Sequence, residues 1–279
     1  MHLFSICTIL LVFIGYREFL VDGVALEIDL KLTNEQKKIM DKFKEMVIPK
    51  LHHQYMKEEI YLVRWLRARD FDLKKSEELL LQNLKWRKQQ KMDTIHNEDW
   101  SDMQHDFPYY LDSFDKKGQP VAIAYAKEWD LRSAVVTGRI RRGLRYLDKA
   151  MDEANKMIRT QQLEGQNVTQ FLFVLHMGHF NLYQHGCPRC ITGILEFLDS
   201  YENHFPGSAD LILLVDTPPV FDAIAQLVRE AASPQTKEAL KIYGINPKVW
   251  KKVLLDVIDA DQLAVEFGGT RKDKNIMKP

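Results

Sequence analysis

The sequence predicts an α/β protein: a helical lobe first, then a largely parallel sheet wrapped by helices. Residues 171–176 (FLFVLH) and 211–216 (LILLVD) are continuous apolar runs of strand length, as expected for strands buried on both faces. Helical spacing fills the chain between and after them, so strands alternate with helices, the pattern of βαβ units. The first ninety residues show helical spacing without such a strand.

The elements follow in order. Thr33 is placed to cap a helix over residues 33–48, with Gln36 as capping-box partner and Ile39, Phe43, Met46 and Val47 at helical spacing. Pro49 ends it. A second helix spans 57–69, with Ile60, Leu62, Val63, Trp65 and Leu66 as its apolar residues, and breaks at Asp70-Phe71-Asp72. A third spans 74–90 through Leu79, Leu80, Leu84 and Trp86. Their basic residues, Arg64, Arg67, Arg69, Lys74, Lys75, Lys85, Arg87 and Lys88, read mostly as a solvated face. Residues 115–120 form a turn cluster leading into a short strand, 121–126. A long helix over 137–163 carries Ile140, Leu144, Leu147, Met151, Ala154 and Ile158 on one face. Further helical spacing appears at 190–203 and, after Pro218-Pro219, at 219–232.

The composition is that of a folded chain: 46% hydrophobic and 28% charged. Lys+Arg and Asp+Glu both number 39, which removes any whole-chain field that would draw nucleic acid. Residues 3–15 carry no charge and are too few to span a bilayer as a helix, which takes about 20. They match the core of a signal peptide, with Gly23-Val24-Ala25 as a cleavage site, so residues 1–25 are expected to be a signal peptide and the protein to be secreted. The n-region offers only His2, and a buried apolar helix or an uncleaved anchor is the alternative. Asn167-Val168-Thr169 is a glycosylation sequon, and loss of Cys7 with the signal leaves Cys187 and Cys190 as an even pair able to form a disulfide.

Residues 60–72 (IYLVRWLRARDFD) and 84–88 (LKWRK) resemble the N-terminal helical motif of the CRAL-TRIO lipid-transfer family. Residues 201–206 (YENHFP), 211–218, 241–244 and 262–269 (QLAVEFGG) resemble its later motifs in the same order. The Gly-Gly-Thr continuation is most similar to the supernatant protein factor group, whose members carry a further β-sandwich after these motifs; α-tocopherol transfer and retinaldehyde-binding proteins are more distant. The resemblance implies an N-terminal helical domain over 26–100 and a lipid-binding domain over 101–279, in which a mostly parallel sheet floors a hydrophobic pocket closed by a gate helix. It implies a monomeric, non-enzymatic carrier of one hydrophobic molecule or phospholipid, exchanged at a membrane surface, with no cofactor besides that ligand. Because the family is typically cytosolic, it also implies cytoplasmic, membrane-peripheral residence as the alternative to secretion.

Residues 219–232 match the gate helix. Val220, Phe221, Ile224, Leu227 and Val228 form one apolar face, read either as core packing or as the lipid-covering face, with Phe221 as the first residue to meet a membrane. Phosphoinositide-binding members keep a Glu after the Tyr-Pro ending and a Lys past the gate; here those positions are Gly207 and Ala239. Arg139, Arg141, Arg142 and Arg145 make a basic cluster, read as a solvated face or an anionic-membrane contact.

Readings from other classes are weaker. Cys187-Pro188-Arg189-Cys190 has the spacing of thiol oxidoreductases, but the βαβ context of that fold is missing. His176, His179 and His185 match no zinc spacing. No Gly-rich phosphate loop, HExxH or GxSxG occurs, so no catalytic or metal-ligating residue is expected. A protein-interaction module on the same fold, binding a small GTPase or scaffold, is the main rival, but it has no need of an apolar gate.

Overall fold

The computed structural model describes residues 30–272, so the signal-peptide expectation for 1–25 lies outside the described residues. Helix α1 (Asn34–Val47) begins at a capping box: the Gln36 amide donates to Thr33 Oγ1 at 3.2 Å, and the Thr33 amide donates to Gln36 Oε1 at 3.0 Å. Pro49 sits in the 3-10 turn that ends it. Helix α2 (Glu59–Arg67) stops where Asp70 and Phe71 take positive φ, 50° and 59°, reversing the chain. Asp72 then caps α3 (Leu73–Gln89), its carboxylate accepting from the Lys75 amide at 3.0 Å. Met40, Phe43, Val47, Leu62, Leu66 and Leu80 close a core of their own between these three helices.

After α4 (Ser101–Asp106), strands β1 (Tyr109–Phe114) and β2 (Pro120–Tyr125) form an antiparallel hairpin. Its turn is held by the Asp115 carboxylate, which accepts from the Lys117 and Gln119 amides at 2.9 and 2.7 Å. The helix expected over 137–163 is α6 (Ile140–Leu163), preceded by a short helix α5 (Leu131–Val136) across Gly138, whose φ of 71° suits glycine. Next come β3 (Phe171–His176), the short α7 (Leu182–His185), α8 (Pro188–His204) and β4 (Ala209–Thr217). A 3-10 turn (Pro219–Phe221) leads into α9 (Asp222–Ala231), followed by α10 (Pro234–Ala239), β5 (Leu240–Gly244) and α11 (Pro247–Val257). Sheet order is β1-β2-β3-β4-β5, parallel from β2 onward.

The two lobes lock through polar and aromatic contacts. Arg64 donates to Asn155 Oδ1 at 3.0 Å and to the Thr169 carbonyl. Arg87 pairs with the buried Asp152 at 2.9 Å, and Trp86 stacks on His204 with centroids 3.8 Å apart. Burial and the Arg87 charge push the His204 pKa down to about 4. Arg64 and Arg87 are therefore exceptions to the solvated basic face: both join the lobes. Among the described residues, no helix is long and apolar enough to cross a membrane.

Candidate functional site

Strand register decides which side chains share a face. Ala122 pairs with Phe173, Phe173 with Ile212, and Ile212 with Leu240. The next row on that face is Ala124, Leu175, Leu214 and Ile242. All eight residues line a cavity of about 270 Å³. The residues between them, including Val121, Ile123, Leu172, Val174, Leu213 and Val215, point the other way and pack on Trp250, Leu254, Ile258 and Phe267.

The cavity's walls come from helices. Ile140, Leu144, Leu147 and Met151 of α6 line one side, Gly193, Ile194, Phe197 and Leu198 of α8 another. Phe221, Ala225 and Val228 close the end at α9. Most polar groups in this lining have protein partners. Tyr201 Oη accepts from the Ala209 amide at 3.0 Å, and Trp129 Nε1 donates to the Pro108 carbonyl at 2.8 Å. His185 lies 3.0 Å from the Ala126 carbonyl through Nε2 and 2.9 Å from the Asn181 carbonyl through Nδ1. Tyr109 donates to Glu153 and accepts from Lys149 at 2.7 Å. Burial opposes the charge on Glu153, yet the bonds from Lys149 and Tyr109 hold its carboxyl below the usual range. With these groups engaged, the cavity recognises its occupant chiefly by apolar contact. By the slope seen in core truncations, an empty void of 270 Å³ costs on the order of 6 kcal/mol, comparable with the whole net stability of a domain. A cavity of this size is expected to be filled.

The predicted gate stripe divides. Phe221 and Val228 line the cavity, and Ile224 is buried in the cluster behind them at 3% exposure. Val220 and Leu227 face solvent at 42% and 41%. Phe221, expected to meet a membrane first, is instead 6% exposed and packed edge-on against Phe180 with centroids 5.1 Å apart. The reason is helical phase: at about 100° per residue Phe221, Ile224, Ala225 and Val228 fall on one side, while Val220 and Leu227 lie about 100–120° round from Phe221, at the edge of the stripe. Ala225, which sequence reasoning passed over as too small to signal a face, lines the cavity.

The remaining candidates are scattered. Cys187 and Cys190 are joined by a disulfide at the start of α8, and Cys190 lines the cavity. Asn167 is half-buried in the loop before β3. Gly207 has φ 63° and Ala239 is buried, while Lys237 and Lys241 are exposed, so neither lysine replaces the missing headgroup charges. In the basic cluster, Arg139 pairs with Asp106 at 2.7 Å, Arg142 with Asp102 at 2.7 Å, and Arg145 with Glu98. Those three arginines clamp the α4 region rather than face a partner. Among the described residues, no three His, Cys, Asp or Glu side chains are grouped to hold a metal.

A mostly parallel sheet roofed by helices over an apolar cavity is the arrangement the described residues adopt. The CRAL/TRIO domain model matches residues 104–269, and the chain belongs to that family of lipid-binding and lipid-transfer proteins. It is similar to Patellin-4 of Arabidopsis thaliana, 27% identical over 214 residues. That match covers 76% of this chain but only 38% of Patellin-4. The fold is similar to that in the crystal structure of Sfh5, with TM-score 0.68 at 13% identity, covering 88% of this chain and 91% of the other. These likenesses lend the expectation of secretion no support.

Proposed function

We propose that this protein carries one hydrophobic molecule in the cavity and exchanges it with a membrane, α9 moving aside as the gate. The observation behind this is the cavity itself: apolar rows on one sheet face, apolar helix walls, and most polar groups turned to protein partners. The missing charges at Gly207 and Ala239 favour a ligand without a phosphoinositol headgroup. Squalene-, tocopherol-, retinoid- or phosphatidylcholine-like molecules all meet that description. Val220 and Leu227, exposed on the outer side of the gate, take over the membrane-contact role first given to Phe221. Such contact suits a protein peripheral to membranes.

Native mass spectrometry of the purified protein, followed by organic extraction, tests this reading. One stoichiometric lipid is expected, and its mass identifies the class. An empty protein that also takes up nothing from vesicles overturns it and favours the interaction module. Leu227→Asp separates gate from carrier: the protein should still hold its ligand but deliver it to vesicles more slowly by about tenfold or more, since each apolar side chain lost to the membrane removes about 1.5–3 kcal/mol.

A further inference from the structure

We propose that the Cys187–Cys190 disulfide is a thiol–disulfide exchange site set in the cavity wall, and that its reduction by a dithiol loosens the gate. The consequence for ligand release rests on the carrier reading; the exchange chemistry does not.

The two sulfurs stand in different surroundings. Cys187 is partly exposed and occupies the N-cap of the 17-residue α8, where its sulfur accepts from the Cys190 amide at 3.1 Å. Cys190 is 1% exposed and lines the cavity. The solvent-side sulfur is therefore open to attack, and the helix's free amides stabilise a thiolate left there. The bridge closes a sequence separation of only 3, the loop length at which constraint of the unfolded chain contributes least. A staple for global stability would join more distant segments.

The residues flanking the bridge reach the gate from two sides. Gly186 and His185 precede it, and His185 stacks on Phe180 at 4.8 Å, which in turn abuts Phe221 at 5.1 Å. Beyond it, Ile191 and Ile194 of α8 pack into the same cluster as Phe221 and Ile224. The disulfide thus fixes the first turn of α8 between two contacts on the gate.

The reaction balances without a metal. A thiolate of the incoming dithiol attacks Cys187 Sγ, the Cys187–Cys190 bond breaks, and Cys190 leaves with the proton released by the dithiol. The second thiol then displaces Cys187. The protein gains two electrons and two protons, and the dithiol closes as its own disulfide.

The test uses the full chain in its native fold, treated with dithiothreitol and then reoxidised. Thiol alkylation counts the open bridges, and hydrogen exchange reads residues 219–231. A pyrene-alkane probe reads release to phosphatidylcholine vesicles. The bridge is expected to open without loss of helical signal. Gate exchange and probe release should both rise about fivefold or more, the low end of measured coupling between sites, and reoxidation should reverse them. A Cys187→Ser, Cys190→Ser double variant should sit in the fast state under both conditions. A bridge that opens only on denaturation overturns the proposal, and so does one that opens with gate exchange unchanged. A protein that takes up no probe yet shows redox-dependent gate exchange sinks the carrier reading and supports this one.

Discussion

The two faces of one sheet are built to opposite ends. On the α11 face, Val121, Ile123, Leu172, Val174, Leu213 and Val215 meet Trp250, Leu254, Ile258 and Phe267 in continuous apolar packing. On the other face β2 contributes only Ala122 and Ala124, and the helices stand off far enough to leave about 270 Å³. Both faces are apolar, so polarity distinguishes neither; the small side chains of β2 and the distance of the covering helices do. The packed face stabilises the fold, and the cavity face forgoes some of that stability, which on the carrier reading is the room a ligand takes.

Truncation should break the comparison most clearly on the packed face. Leu254 is fully buried. Leu254→Ala is expected to cost about 3 kcal/mol, since the rigid sheet behind it cannot collapse into the gap. Urea unfolding measures it. Ligand stoichiometry in the folded fraction should stay at one, because the residue lies across the sheet from the cavity.

The converse change sharpens it. Ala124 is buried and faces the cavity. Ala124→Leu adds three carbons to empty space, each worth about 0.8 kcal/mol when buried, so the ligand-free protein should gain about 2 kcal/mol. The same variant should copurify with less lipid or none. A loss of stability would mean that the cavity is already closed to added volume.

Much of this was legible in the sequence. The capping box at Thr33, the break at Asp70-Phe71 and the buried runs of β3 and β4 all fall where local patterns put them. Strand β1 was missed because Asp112 and Ser113 interrupt its apolar pattern, beside an irregularity in its pairing with β2. The cavity floor was illegible for a different reason. Its rows run across four strands, and only the register brings Ala122, Phe173, Ile212 and Leu240 together. The apolar stripe over 219–232 reads as one face, whereas Val220 and Leu227 lie at its exposed edge, because a sequence does not announce how wide an arc of a helix its neighbours will cover.

The smallest expected effect concerns how the cavity wall is braced. Where α11 packs by apolar contact, α6 and α8 are also pinned by a polar bond: Ser200 Oγ donates to Asp148 Oδ1 at 2.6 Å. Burial pushes the Asp148 pKa up to about 6, against the opposing pull of Ser200 and Arg145. A carboxyl whose folded pKa is raised binds its proton more tightly in the folded state. Its contribution is therefore fully present below the unfolded value near 4 and is lost as the pH rises through about 6. Asp148→Asn keeps an acceptor for Ser200 and removes the charge. It should stabilise the protein by about 1–2 kcal/mol at pH 8 and by almost nothing at pH 4. Thermal unfolding at the two pH values measures the difference. No gain at either pH would show that Asp148 sits in a wetter seam than its burial implies, whereas an equal gain at both would show that the amide's packing, and not loss of the charge, is what stabilises this wall of the cavity.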